Sequence, residues 1–365
     1  MSVHYDIAII GAGMAGASLA AECAGHAHVV VLEAEDTPGY HTTGRSAAFW
    51  EQTYGGPGVV PLTLASGDFL REHGFLTRRG GLYLAREADA PILDAFVERY
   101  ADSGVEIVRY DRADLLSVHP DIDPRWTGGL YLPDCADIDV AGLHQLYLAQ
   151  IRQRGAELQL RWRVESIEHD GELWRLDDSH GRRVTATRIV NAAGSWADGV
   201  ARLAGARVLG ITSFRRTVAQ LRTDPAPRSD LPLTLDINGR FYFKPEAGRL
   251  WLSPHDEEPS EPCDAAPEEA AIAHALDRFG HVLGWKVEAV ERKWAGLRSF
   301  APDRLPVFGY DEDAPGFFWC AGQGGTGIQT APAAARLCAQ LLLDRPRDAM
   351  TQGLDAALYA PARFA

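Results

Sequence analysis

Lysine is nearly missing from this sequence. Only Lys244, Lys286 and Lys293 accompany 33 arginines, and 50 acidic residues bring the formal charge to −14. Such an acidic surface opposes a phosphate backbone, so no nucleic-acid partner is expected. Cysteine is sparse too: Cys23, Cys135, Cys263, Cys320 and Cys338 are odd in number, scattered and without a C-x-x-C pair. That argues against a disulfide framework or a zinc knuckle, suits a reducing compartment, and leaves no metal site expected. Long hydrophobic runs are missing as well. The uncharged N-terminal stretch, residues 7–21, is too short and too glycine-rich to span a bilayer. No Lys or Arg precedes Arg45, so the basic start of a secretory signal is lacking. The expectation is a soluble, cytoplasmic chain without a transmembrane segment.

What is present is ordinary for a globular protein: 365 residues, 46% apolar and 24% charged. That length suits two domains or one elaborated α/β domain. The apolar run Tyr5-Asp6-Ile7-Ala8-Ile9-Ile10 reads as a strand buried on both faces. A glycine turn, a small-residue helix over 12–24 and the strand Val29-Val30-Val31-Leu32 come next, which is the β-α-β opening of a doubly wound sheet. Helical patterns recur near 60–73, 88–103, 138–154 and 267–284. From residue 157 the texture becomes β-rich, with Asp170-Gly171 and Asn238-Gly239 as hairpin turns. Strand, glycine loop and helix return near the C-terminus, at 317–343, so both ends of the chain are expected to share one domain.

The sharpest motif is Gly11-Ala12-Gly13-Met14-Ala15-Gly16, with Glu33 closing the next strand 22 residues after Gly11. The first glycine permits a tight turn, the second lets backbone N–H groups approach a pyrophosphate, and the third lets helix pack on strand. Glu33 is placed to accept hydrogen bonds from an adenosine ribose and disfavours a 2′-phosphate, so NADP is not expected. This motif does not by itself separate NAD from FAD.

Three later segments make that distinction. The stretch Tyr40-His41-Thr42-Thr43-Gly44-Arg45-Ser46-Ala47-Ala48, the strand-turn Val190-Asn191-Ala192-Ala193-Gly194-Ser195-Trp196 and the loop Gly322-Gln323-Gly324-Gly325-Thr326-Gly327-Ile328-Gln329 stand in that order. Together with the first motif they resemble the D-amino-acid oxidase superfamily of FAD-dependent oxidoreductases, over nearly the whole chain. Within it the chain most resembles the bacterial D-arginine dehydrogenases, through Pro38-Gly-Tyr-His, Phe241-Tyr-Phe-Lys-Pro, Trp294-Ala-Gly-Leu-Arg-Ser-Phe and Gly324-Gly-Thr-Gly-Ile-Gln.

The resemblance implies a Rossmann-like α/β FAD-binding domain and a substrate domain on a mixed, largely antiparallel sheet with helices. The former would comprise 1–80, 140–210 and 295–365, the latter 81–139 and 211–294. Val164, Ala193, Gly194 and Trp196 would join the motif residues around FAD, held non-covalently because no cysteine lies in 294–300. The helix start at Gly327, Ile328 and Gln329 would face the negative charge of a reduced flavin. Arg298 and Tyr242 would hold a substrate α-carboxylate, with Arg216 in the same pocket, although from the residues alone Arg298 reads more readily as a surface arginine or a structural ion pair, and Tyr242 equally as a core tyrosine. Tyr54, followed by Gly55-Gly56, would ride a mobile lid, and Gly325 would lie at the catalytic centre.

Departures from the D-arginine enzymes concern the side-chain pocket. Phe49 stands for their loop histidine, Glu51 for a threonine, Gly81 for the acid that meets the guanidinium, and Thr326 for a tyrosine. The expected reaction is oxidation of a D-amino acid to the imino acid, which hydrolyses to a 2-oxo acid and ammonia. A glycine-type or secondary amine, or a 2-hydroxy acid, is the alternative, and a non-catalytic FAD-binding subunit the second alternative. The partners implied are a small amino-acid substrate and an unspecified electron acceptor: a quinone, an electron-transfer partner or O2.

Overall fold

The computed structural model describes residues 4–365. The N-terminal apolar run forms the strand His4–Ile10, followed by the helix Met14–Cys23 and the strand Val29–Leu32. The two strands are apolar almost throughout because they lie inside an eight-stranded sheet with both faces covered. His4–Ile10 pairs in parallel with Val29–Leu32 on one side and with Arg183–Asn191 on the other. Parallel pairing extends to Glu157–Gln159 beyond the former and to Phe317–Ala321 beside the latter. Both ends of the chain thus contribute to one sheet.

One face carries the helices Met14–Cys23, Val140–Gln153 and Ala331–Leu342. Ala17, Ala20 and Ala21 of the first are fully buried, and these short side chains let it lie between the other two and the strands. On the other face Ala197–Ala204 packs around Trp162, Trp174 and Trp319, and the strands Val164–His169 and Trp174–Asp178 extend the sheet antiparallel from Arg183–Asn191. Those two strands turn at Asp170, whose carboxylate accepts from the backbone N–H groups of Glu172 and Leu173, and at Gly171 with φ +102°.

A nine-stranded sheet forms the second layer, antiparallel except where Gly81–Arg86 pairs with Leu233–Asp236. The helix Glu269–Gly280 buries Ile272, Ala275 and Phe279 against it. Its long ribbon pairs Thr212–Asp224 with Lys286–Phe300. The expected domain boundary at 295 falls inside that last strand, which runs unbroken from a largely exposed half into six consecutive buried residues beginning at Ala295. The strand therefore delivers Arg298 to the junction of the two sheets. A three-stranded sheet of Phe49–Trp50, Leu76–Arg78 and Ala136–Ile138 completes the architecture.

One expectation is corrected at the C-terminus. The helix after the glycine loop begins at Ala331, not at Gly327, and residues 327–329 are turns preceding it. Pro332 sets the start, because its fixed φ suits the first helical turn and its missing N–H is not needed there.

Candidate active site

An elongated cavity of about 420 Å³ runs between the two sheets. At one end the turn after His4–Ile10 fixes its shape. Gly11 has φ +102°, and a Cβ there would lie 2.6 Å from the Ala192 carbonyl oxygen. A Cβ on Gly16 would lie 1.9 Å from the Gly11 carbonyl oxygen, so that helix and turn meet only because both residues lack side chains. Gly13, the residue capping the helix, supplies no side-chain cap, and the first turn carries no acidic residue. The helix N-terminus, with Gly13, Met14 and Ala15 on the cavity wall, is open to an anion.

Glu33 lines the same end. Its carboxylate accepts from the N–H groups of Ala12, 2.7 Å, and Glu35, 3.0 Å, which leaves acceptor capacity on both oxygens. His41, Thr42, Thr43, Arg45, Ser46, Ala47 and Ala48 continue the wall, with Val164, Ala193, Gly194 and Trp196 opposite. The Thr43 hydroxyl accepts from Met14 N–H at 2.9 Å, and the Thr42 hydroxyl donates to Leu297 O at 2.6 Å, tying this segment to both sheets. Arg45 donates to the carbonyls of Ala265 and Ala295 and pairs with Asp264, so its charge is committed to the protein. Gly44 and Gly16 lie behind the wall, not on it.

The other end is narrow, aromatic and positively charged. Phe49, Tyr54, Tyr242, Arg216 and Arg298 line it, with Gly324, Gly325, Gly327 and Ile328 alongside. Phe49 meets Tyr54 and Tyr242 edge-on, with ring centroids 5.3 and 5.6 Å apart. Tyr242 belongs to the strand Tyr242–Glu246, which turns it towards the cavity and Phe243 into the core beneath. Burial pushes the Tyr242 phenol up to about 12 and raises that of Tyr54, so both remain hydroxyl donors at neutral pH. Arg298 is 8% exposed; its Nη1 donates to the Tyr54 hydroxyl at 2.6 Å and its Nη2 to Glu257 at 3.0 Å. Arg298 Nε and Arg216 Nη1 are buried with no partner among the described residues. A Cβ on Gly325 would come within 2.6 Å of Arg298 Nη1, so the glycine there makes room for the guanidinium.

Four residues expected at this site lie off the cavity wall. Glu51 is fully buried, its carboxylate taken by the backbone and hydroxyl of Thr53 and the hydroxyl of Tyr83. It presents no charge to the cavity. Gly81 is the buried first residue of the strand Gly81–Arg86, where Cys135 fills the space its side chain would need. Thr326 turns its hydroxyl back to the Gln323 carbonyl. Gln329 spends its amide on Glu51 O, Tyr54 O and Thr63 Oγ1 and does not face a flavin. The last contacts, with Tyr100 donating to Thr53 O, pin the segment before Tyr54. Beyond that anchor, Gly55 and Pro57 are exposed. Beside Gly81, Arg78 donates to Pro133 O and Arg79 to Asp137.

Sequence reasoning passed over Ser299 and Ser195, whose hydroxyls meet at 3.0 Å on the cavity wall, and Glu257. The first pair was visible only as serines inside recognised motifs, and Glu257 sits in an acidic loop without a motif. The fit to FAD is supported by the glycine cradle, the open helix end, the acceptor at Glu33 and a cavity continuous with the charged end.

The model of the family described as "DAO: FAD dependent oxidoreductase" matches residues 6–341. Glycine oxidase of Geobacillus kaustophilus is 27% identical over 364 residues, covering 94% of each chain. In structure, a glycine oxidase from Geobacillus kaustophilus superposes with a TM-score of 0.84 at 24% identity, covering 99% of both chains. L-proline dehydrogenase from P. horikoshii gives a TM-score of 0.86 at 20% identity, covering 100% of this chain and 98% of the other. These likenesses in structure show a shared fold, and the family match spans nearly the whole chain. The chain belongs to the DAO family of FAD-dependent oxidoreductases.

Proposed function

We propose that this protein oxidises the C–N bond of a small neutral amino acid, with glycine and N-alkyl glycines as the first substrate class. The observation that carries the proposal is the buried Arg298 guanidinium, held against Tyr54 and packed on Gly325 in the cavity that Tyr242 also lines. A guanidinium fixed in this way presents a planar fork to an α-carboxylate, and the Tyr242 hydroxyl adds a neutral donor. The curated relative named glycine oxidase supports the class. The sequence reading put a D-amino acid first. Small neutral D-amino acids remain the second reading, supported by the motif resemblance and by the apolar face of Phe49.

FAD, when bound, supplies the two-electron acceptor for a hydride leaving Cα. Gly11, Gly13, Met14 and Ala15 would hold its pyrophosphate and Glu33 its ribose, with Gly324, Gly325, Gly327 and Ile328 beside its ring. The chain's own contribution to the reaction is orientation. Arg298 and Arg216 fix the carboxylate end of the substrate, Tyr242 and Phe49 bound the space around Cα, and the aromatic walls exclude water. The deprotonated substrate amine drives the oxidation, so no strong protein base is required.

A cationic side chain finds no counter-charge on the cavity wall near Phe49, since Glu51 is enclosed and Gly81 has no side chain. Anaerobic mixing of the purified, flavin-loaded protein with glycine, N-methylglycine, D- and L-amino acids and 2-hydroxy acids tests the proposal. Bleaching of the flavin band by glycine, N-methylglycine or small D-amino acids is expected. Bleaching by hydroxy acids alone, or by none of these compounds, overturns it.

A further inference from the structure

Three arginines converge on one carboxylate at the charged end of the cavity. Glu257 Oε1 accepts from Arg298 Nη2 at 3.0 Å, Arg216 Nη2 at 3.2 Å and Arg304 Nη2 at 2.9 Å. Its Oε2 accepts from Arg304 Nη2 at 3.1 Å. Arg298 and Arg216 are buried and line the cavity, whereas the Arg304 side chain is 48% exposed and stacks over Phe300 at 3.9 Å. Glu257 lies in the loop between the strands Arg249–Ser253 and Glu258–Ser260, and its own side chain is 38% exposed. The neighbouring Asp256 is committed to Thr217, whose N–H and hydroxyl it accepts at 2.8 and 2.7 Å, while its backbone carbonyl accepts from Arg216 Nε.

The charges add up to a definite demand. Arg216, Arg298 and Arg304 contribute three positive charges, and Asp256 and Glu257 two negative ones. The excess is one, which a single substrate carboxylate neutralises. The donors follow the same arithmetic, because Glu257 takes one N–H from each buried guanidinium while Arg216 Nη1 and Arg298 Nε have no partner among the described residues. Like charges brought together in a partly dry site repel strongly, so a second carboxylate on the substrate would compete with Glu257 for the same arginines.

We propose that Glu257 is a specificity-determining residue: it stands as a built-in second carboxylate and restricts the site to substrates that bring only one. The proposal rests on the reading of Arg298 and Arg216 as the carboxylate site. It deepens that reading, since it says why a dicarboxylic amino acid is refused by a pocket rich in arginine. Glu257 acts through the arginines and takes no part in bond breaking.

The test compares glycine with iminodiacetate and D-alanine with D-aspartate, as paired mono- and dicarboxylic probes of the holoenzyme. Glu257→Gln keeps the side-chain shape and one oxygen acceptor but raises the local excess to two charges. We expect its ratio of kcat/KM for the dicarboxylate over the monocarboxylate to rise at least about tenfold, mainly through KM. Glu257→Asp should keep the parent ratio. The double variant Glu257→Gln/Arg304→Gln restores the single excess charge and should return the ratio towards that of the parent, which a purely structural role for Glu257 would not do.

Binding gives a readout that needs no turnover. Acetate and malonate titrated into the holoprotein, followed by calorimetry, should show malonate gaining on acetate in Glu257→Gln by a similar factor. Ratios within twofold of the parent in folded, flavin-loaded Glu257→Gln, or failure of the double variant to reverse the change, overturn the proposal. A parent enzyme whose flavin no amino acid reduces would count against the proposed activity instead, and the acetate–malonate comparison would still decide the role of Glu257.

Discussion

Replacing Arg298 by lysine keeps the charge and removes the fork. The guanidinium reaches two partners at once, the Tyr54 hydroxyl at 2.6 Å through Nη1 and Glu257 at 3.0 Å through Nη2, and holds Nε buried without a partner among the described residues. A single ammonium cannot span those positions, and a shorter, rounder head would settle on Glu257, the carboxylate among these contacts. The substrate carboxylate then loses at least one charge-assisted hydrogen bond. Such bonds contribute about 1.5–3 kcal/mol each, so a loss of ~2 kcal/mol in transition-state binding, about thirtyfold in kcat/KM, is the expected minimum. Because Tyr54 also loses its partner, the effect on the rate of flavin reduction at saturating substrate should accompany the effect on KM. Stopped-flow reduction under anaerobic conditions separates the two. The variant should retain its flavin, since the glycine cradle and Glu33 lie at the opposite end of the cavity. Reduction rates and apparent substrate affinity both within twofold of the parent would remove Arg298 from the site.

Gly325→Ala should act on the same guanidinium without touching the charge: its Cβ would stand 2.6 Å from Arg298 Nη1, a contact relieved by moving the arginine, and kcat/KM should fall at least about tenfold while flavin content holds. Unchanged kinetics would show that the clamp tolerates displacement. Glu33→Gln should weaken FAD by about tenfold, because the carboxylate that orders Ala12 and Glu35 loses its charge-assisted hydrogen bonds; an unchanged FAD dissociation constant, read by fluorescence quenching, would sink that role. Glu51→Gln tests a buried carboxyl that desolvation raises above its usual range, against the lowering effect of Thr53 and Tyr83. A raised folded-state value means the folded chain holds this proton longer than the unfolded one. The parent's stability from this group is therefore full below about 4.5 and lost as pH rises through the folded value. Glutamine carries no such loss, so the variant should gain on the parent in urea unfolding as pH rises from about 4 to about 8, and a constant gap would refute the assignment.

Much of the fold was legible because local patterns and burial agree. The strands His4–Ile10 and Val29–Leu32 are buried along their apolar runs, and the glycines at 11 and 16 are demanded by contacts of 2.6 and 1.9 Å that no side chain could survive. Alternation placed Tyr242 on the face opposite Phe243, and Lys244 shares the face of Tyr242, where its buried ammonium pairs with Asp137 and the more exposed Glu246. Helix ends were less legible. The pattern near 267–284 stops at Gly280, where a residue without propensity for helix meets the turn into Val282 and Leu283, both buried as core rather than as a helical face.

The pocket behind Phe49 resisted sequence reasoning for a different reason. Glu51 and Gly81 lie 30 positions apart and read separately as an acid gained in place of a threonine and an acid lost. In the fold they are neighbours: a Cβ on Gly81 would be 3.9 Å from Glu51 Cγ and 3.1 Å from Cys135 Cβ. The absent side chain at 81 is what admits Cys135 and lets the carboxylate of Glu51 lie inward against Tyr83, away from the cavity. Two apparent changes of substrate charge are thus one packing arrangement, and neither places a charge before the substrate. The same limit hid Glu257, whose importance lies in three arginines at positions 216, 298 and 304 that only the pairing of Thr212–Asp224 with Lys286–Phe300, and the turn beyond it, brings to one point. Charge in this site is set by which groups are enclosed together, a property of tertiary packing that spacing along the chain does not encode.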